Sequence, residues 1–230
     1  ETRAAVLEGF TITGGIGTWN GDDNDGAGVY CVNSSPVIKG NRIIGNHCTL
    51  GGLGGGICAG ARRQDGDPLA ARIEGNLIEG NSAGRNGGGI ACFNGEHEIV
   101  GNTFRGNTCA ADGGGIWVWM TSGRVLIRGN EFWGNMAGDH GGGVYAYGAP
   151  AARPYMIERN LYVNNQTTGV GHIGDTGSGG GIAALSIGGV IRHNTLVDND
   201  GQHLTHDGGG GLLLYLTGPD LSVFGNIIAF

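Results

Sequence analysis

The sequence predicts an all-β chain wound as a parallel β-helix, a solenoid of about seven coils with three short strands in each. Glycine runs recur along the chain, their last members at Gly28, Gly56, Gly89, Gly115, Gly143, Gly181 and Gly211, each followed by Val, Ile or Leu. Asparagines recur in step at Asn41, Asn76, Asn102, Asn130, Asn160, Asn194 and Asn226, and all but the last have a second asparagine five residues on. Apolar residues hold fixed offsets from these asparagines, so one pattern repeats with a period of 26 to 35 residues.

Taken in order, the opening VLEGFTITGG fits the pattern with Phe10 and Gly15 at the asparagine positions. Three residues before the first asparagine of each later repeat stand Ile38, Ile73, Ile99, Ile127, Ile157, Ile191 and Val223. Two residues after it stand Ile43, Ile78, Phe104, Phe132, Tyr162, Leu196 and Ile228. An apolar period of two means strands, and triple glycines oppose a helix. The residue just before that asparagine is glycine except at Arg159 and His193, which is what a sharp corner with positive φ selects. Coils of this kind stack about 4.8 Å apart. Identical asparagines at a corner then become vertical neighbours and can satisfy the buried backbone groups there.

Composition narrows the class. No compositional break divides the chain, so residues 1–230 read as one solenoid domain. Glycine is abundant, at 52 residues, but without the strict three-residue period of collagen. The net charge of −7 argues against a nucleic-acid partner. No apolar run is long enough to span a membrane, and the expectation is a mature or excised segment. The chain starts inside a repeat and stops partway through the next, as a segment of a longer chain would, or as copies that associate end to end. Five cysteines read as small core residues; Cys31 and Cys92 share a column two coils apart, too far for a disulfide, and Cys48 with Cys58 is the pairing to check.

Coil length varies at five insertions: the acidic Asn20–Asp25, then Ala61–Ala71, Ala149–Pro154, Gln166–Ser178 and Asn199–Asp207. Loops are where such scaffolds carry function. After each glycine run, residues one and three face inward and residues two and four outward. The outward set holds Tyr30, Phe93, Trp117, Trp119, Tyr145, Tyr147 and Tyr215, with Trp117, Trp119, Tyr145 and Tyr147 as a two-by-two aromatic patch on adjacent rungs. An exposed patch of this kind is a binding surface for a glycan or protein ligand; the structural alternative is that a loop or neighbouring chain covers it.

Two polar groups are further candidates. Just before the glycine runs lie Asp25, Asn86, Asp112, His140, Ser178 and Asp207, with Leu53 out of pattern. A rung-spaced row of oxygens, with Asp25, Asp112 and Asp207 as ligands, would hold Ca²⁺; turn chemistry alone also favours these residues before glycine. Otherwise no cofactor is expected. His203, His206, Asp198, Asp200 and Asp207, with His193 nearby, form a candidate catalytic or metal-binding cluster whose competing reading is a polar surface loop. No nucleophile elbow, phosphate loop or zincin signature occurs.

The alternation of GGGI or GGGV with IIGN, FRGN and FWGN resembles the right-handed parallel β-helix repeat proteins of bacterial surfaces and secretions. Gly114-Gly115-Ile116 and Phe132-Trp133-Gly134-Asn135 are similar to the GGA[IV] and FxxN motifs of chlamydial polymorphic outer-membrane proteins, which are adhesins, with glycine in place of their alanine. The resemblance implies a right-handed solenoid with an extracellular or cell-surface habit. Pectate lyases, polygalacturonases and alginate epimerases share the architecture. Here, however, Asn194-Thr195 is followed by Leu196 rather than Asp, and no Asp-Pro-His occurs. The leading expectation is therefore a structural or adhesive β-helix. The alternatives are a polysaccharide lyase, hydrolase or epimerase acting on acidic glycans, and a self-assembling filament subunit.

Overall fold

Every backbone group of a buried corner needs a partner, and here the partners come from the coil above or below. The computed structural model describes residues 5–19, 21, 23–60, 69–119, 123–148, 154–169, 177–201, 209–215 and 220–230. Its strands form parallel ladders in which each coil pairs with the next, giving an all-β solenoid of about six turns. The first face has eight strands from Val6–Glu8 to Leu221–Phe224, and the second has eight from Thr11–Thr13 to Ile227–Ala229. The fourth face, after the glycine runs, has seven, from Val29–Val32 to Leu212–Tyr215. Between the second and fourth lies a short ladder of six, from His47–Leu50 to Asp200–Gly201, which adds a third face to the three expected strands of each coil.

The asparagines close the corners. Asn130 Nδ2 donates to Asn160 Oδ1 at 3.1 Å and to the Ile99 carbonyl at 2.8 Å. Its own Oδ1 accepts from the Asn102 backbone N–H at 2.9 Å and from Asn102 Nδ2 at 3.1 Å. The same exchange joins Asn41, Asn76, Asn102, Asn130, Asn160, Asn194 and Asn226. A parallel ladder runs from Asn46 through Asn81, Asn107, Asn135 and Asn165 to Asn199. Phe10 and Gly15 take the asparagine positions as the pattern predicts, their N–H groups donating to Asn41 and Asn46 Oδ1.

The glycine runs have a different cause from the corner glycines. A Cβ on Gly129 would meet nothing within 4 Å, so its φ of +63° alone selects glycine there. A Cβ on Gly115 would lie 2.5 Å from the Gly143 carbonyl oxygen and 3.0 Å from the Phe132 ring. The runs stack backbone on backbone, as in Gly114 N–H to the Gly141 carbonyl and Gly115 N–H to that of Gly142. That approach leaves no room for a side chain.

Inside, the columns pack as expected. Ile73, Ile99, Ile127, Ile157 and Ile191 line the first face, and Phe104, Phe132 and Tyr162 stack on the second with ring centroids 4.7 and 4.6 Å apart. Burying a side chain of this size stabilises the fold by about 1.5–3 kcal/mol. Among the described residues the Tyr162 hydroxyl is caught in this core without a partner, and the His97 imidazole is buried as well. All five cysteines are free, including Cys48 and Cys58, and burial pushes the Cys48 thiol up to about 11 and Cys109 to about 12. Thiols so protonated are inert core residues.

Candidate ligand-binding cleft

The fourth face brings the aromatic residues into the predicted register. Trp117 pairs with Tyr145 and Trp119 with Tyr147 on adjacent rungs. Trp119 stacks on Tyr147 with centroids 4.4 Å apart, and Trp117 lies beside Trp119 at 5.5 Å. Tyr215 stands apart and exposed, because Leu185 occupies the rung between it and Tyr147. Phe93 joins the group from the preceding rung, paired with Trp119.

The expected exposure of the patch is corrected. Phe93, Trp117 and Tyr145 are buried, with 7, 6 and 5% of their surfaces accessible. They form a second apolar layer with Cys58, Ala91 and Ala183, flanked by partly buried Leu53, Trp119, Tyr147 and Leu185. The fourth face is therefore apolar on both sides, as parallel sheets covered on both faces are. Of the two-by-two patch, Trp119 and Tyr147 keep partial access.

The polar column before the glycine runs is a second capping ladder. Asp25 Oδ1 accepts the Leu53 N–H at 2.8 Å, Asn86 Oδ1 accepts that of Asp112 at 2.9 Å, and Asp112 Oδ1 accepts that of His140 at 3.2 Å. The His140 ring also meets Asp112 at 3.2 Å, and His140 bridges to Ser178. Turn chemistry thus occupies oxygens that the calcium reading would assign to a metal. Among the described residues no three His, Cys, Asp or Glu side chains lie close enough together to hold a metal ion. Asp198 and Asp200 are exposed at the third-face edge; His203, His206 and Asp207, the rest of the proposed catalytic and metal set, lie outside the described residues.

What the repeat pattern alone did not reveal is where the acidic insertion goes. Thr18–Trp19 pairs antiparallel with Asn24–Asp25, and this hairpin carries Asp23 and Asp25 to the side of the aromatic layer. There a cleft of about 280 Å³ opens, lined by Asp23, Asp25, Leu53, Arg85, Phe93, Asn94, Trp117 and Trp119. Leu53, the residue out of pattern in its column, supplies an apolar wall. The Arg85 side chain is exposed and forms no ion pair with any described residue. Among the described residues the buried Trp117 Nε1 has no acceptor.

A parallel solenoid with an aromatic and polar cleft on one face is the class that fold and site define. The chain belongs to the family described as "Right handed beta helix region", which it matches over residues 27–228. Neither a curated protein nor a solved structure matches it. Among the described residues no helix is long and apolar enough to cross a membrane.

Proposed function

We propose that the protein is a non-catalytic β-helix of the cell surface or extracellular space that presents the Trp119 cleft to glycan. The observation supporting this is the composition of the cleft. Trp117, Trp119 and Phe93 line the cleft together with the polar side chains of Asp23, Arg85 and Asn94. Aromatic faces stack on the C–H side of a sugar ring, and planar polar groups engage its hydroxyls in pairs. A glycan array is the direct test: wild type binds and Trp119→Ala loses most of the signal. Equal binding by both would remove the cleft from this reading. Protease shaving of intact producing cells tests the location, since a chain inside the cell would be protected.

One observation favours cleavage of acidic glycans as a second reading: Arg85 shares the cleft with two carboxyl groups. Against it, Asp25 is fully buried and holds the Leu53 N–H. Unsaturated uronate absorbance, followed on pectin and alginate with and without a chelator, separates the two. Chelator-sensitive product would make the protein a lyase.

A further inference from the structure

We infer that the corner joining the first face to the second is an anion-binding edge, which holds carboxylate or sulfate groups of an acidic glycan. Three successive strands, Val125–Arg128, Tyr155–Glu158 and Gly189–Arg192, end at this corner, and Arg128, Glu158 and Arg192 share one register. The residues that follow them, Gly129, Arg159 and His193, form a second column, with each backbone N–H bonded to the coil above. Rungs of such a ladder lie about 4.8 Å apart, so the basic residues run in a row along the solenoid axis.

This row carries charge that the fold does not use. Arg192 meets Glu158 Oε2 through Nε and Nη2, each at 2.7 Å, which neutralises the one carboxylate in the row. Glu131, just past the corner, is turned to Trp133, whose Nε1 donates to it at 3.1 Å. Arg128 and Arg159 are exposed, and their side chains form no hydrogen bond or ion pair with any described residue. Strain is a second, independent observation. Arg159 and His193 take φ of +55° in a column that otherwise holds glycine, a conformation that disfavours a side chain. No partner of the Arg159 guanidinium among the described residues offsets that strain, and strained residues of this kind cluster at functional sites. The His193 ring is fixed in place, edge-on to Phe224 at 5.7 Å and over Gly225, where a Cβ would meet its Nδ1 at 2.6 Å. Beside Arg159 the corner is open, since a Cβ at Gly129 would meet nothing within 4 Å.

Donors on successive rungs suit a linear polyanion, whose charged groups meet them one after another in charge-assisted hydrogen bonds. An acidic glycan spaces its charges sugar by sugar. Duplex DNA packs one charge per about 1.7 Å of axis, and the net charge of −7 disfavours so dense a partner.

The test is titration calorimetry of the full chain at low salt with hexagalacturonate, sulfated cellohexaose, plain cellohexaose and a short DNA duplex. At least one acidic hexasaccharide should bind at least tenfold more tightly than cellohexaose, and comparison of the two identifies the anionic group. The Arg128→Gln, Arg159→Gln double variant should lose about tenfold in that affinity, and Arg159→Gly about threefold. Because Arg159→Gly relieves the strained corner, its urea midpoint should be no lower than that of wild type, so its weaker binding is not a loss of folding. Trp119→Ala should bind the acidic probe as wild type does, which separates this edge from the cleft. Unchanged affinity in the double variant, absence of binding to both acidic probes, or tighter binding of the duplex would overturn the inference, and none of these bears on the Trp119 cleft.

Discussion

Arg159 and His193 stand where the other coils carry glycine, and their backbones take φ of +55° beside +60 to +64° at Gly40, Gly75, Gly101, Gly129 and Gly225. The corner dictates the conformation and the residue complies, at about 1–2 kcal/mol for a side chain with a Cβ. Arg159 is exposed at this corner, while the neighbouring Asn160 maintains the ladder. Replacing Arg159 by glycine should therefore raise stability by about 1 kcal/mol, read as a higher urea midpoint with unchanged slope. A loss of stability would mean that the guanidinium contributes more than the corner costs. This position was legible from sequence alone, because glycine at the matching residue of the other repeats announces the φ that the exceptions must also adopt.

At the scale of the strand, the pattern predicted three of the four faces. The first and second are marked by Ile127 and Phe132 on either side of Asn130, and the fourth by Ile116 and Val118 after the glycine run. The third escaped because strands such as Thr108–Cys109 and Met136–Ala137 are two residues long, too short to show alternation. Burial of the aromatic column escaped for a related reason. Alternation shows which side of the sheet Trp117 occupies, but not what lies over that side. Nor could spacing bring Arg85 and Asp23 to the lining of one cleft, since that depends on the antiparallel pairing of Thr18–Trp19 with Asn24–Asp25. Within the second face the stack of Phe104, Phe132 and Tyr162 ends in a hydroxyl that has no partner among the described residues. Tyr162→Phe should stabilise the protein by about 1 kcal/mol in chemical denaturation, because it removes a desolvated polar group and keeps the ring. A decrease of similar size would show that the hydroxyl is hydrogen-bonded.

For the molecule as a whole, acid is the condition to which this core is most exposed. His97 faces inward from the first face, in register with Ala71 and Val125, while Glu96 and Glu98 on its own strand point outward. Burial pulls its pKa down to about 4 from 6.5, an effect that the nearby Phe93 carbonyl offsets only in part. Between those values the unfolded chain binds a proton that the folded chain refuses, so stability rises with pH in that window and falls as pH drops from 6.5 towards 4. The loss amounts to roughly 3 kcal/mol, at 1.36 kcal/mol per pKa unit. Urea titrations at pH 7 and pH 4.5 should show His97→Leu losing about 2–3 kcal/mol less than wild type between the two. Equal losses would place the imidazole in contact with water.

All of these positions depend on residues of one register lying directly above one another, and the Asn102–Asn130 pair tests this most directly. Asn130 Oδ1 takes both the backbone and the side-chain N–H of Asn102. In a double-mutant cycle of Asn102→Ala and Asn130→Ala, measured by urea unfolding, the second deletion should cost less once the first is made. The predicted coupling is about 1–3 kcal/mol. Costs that add to within about 0.5 kcal/mol would mean that the two side chains do not touch, and would contradict the stacked-coil account.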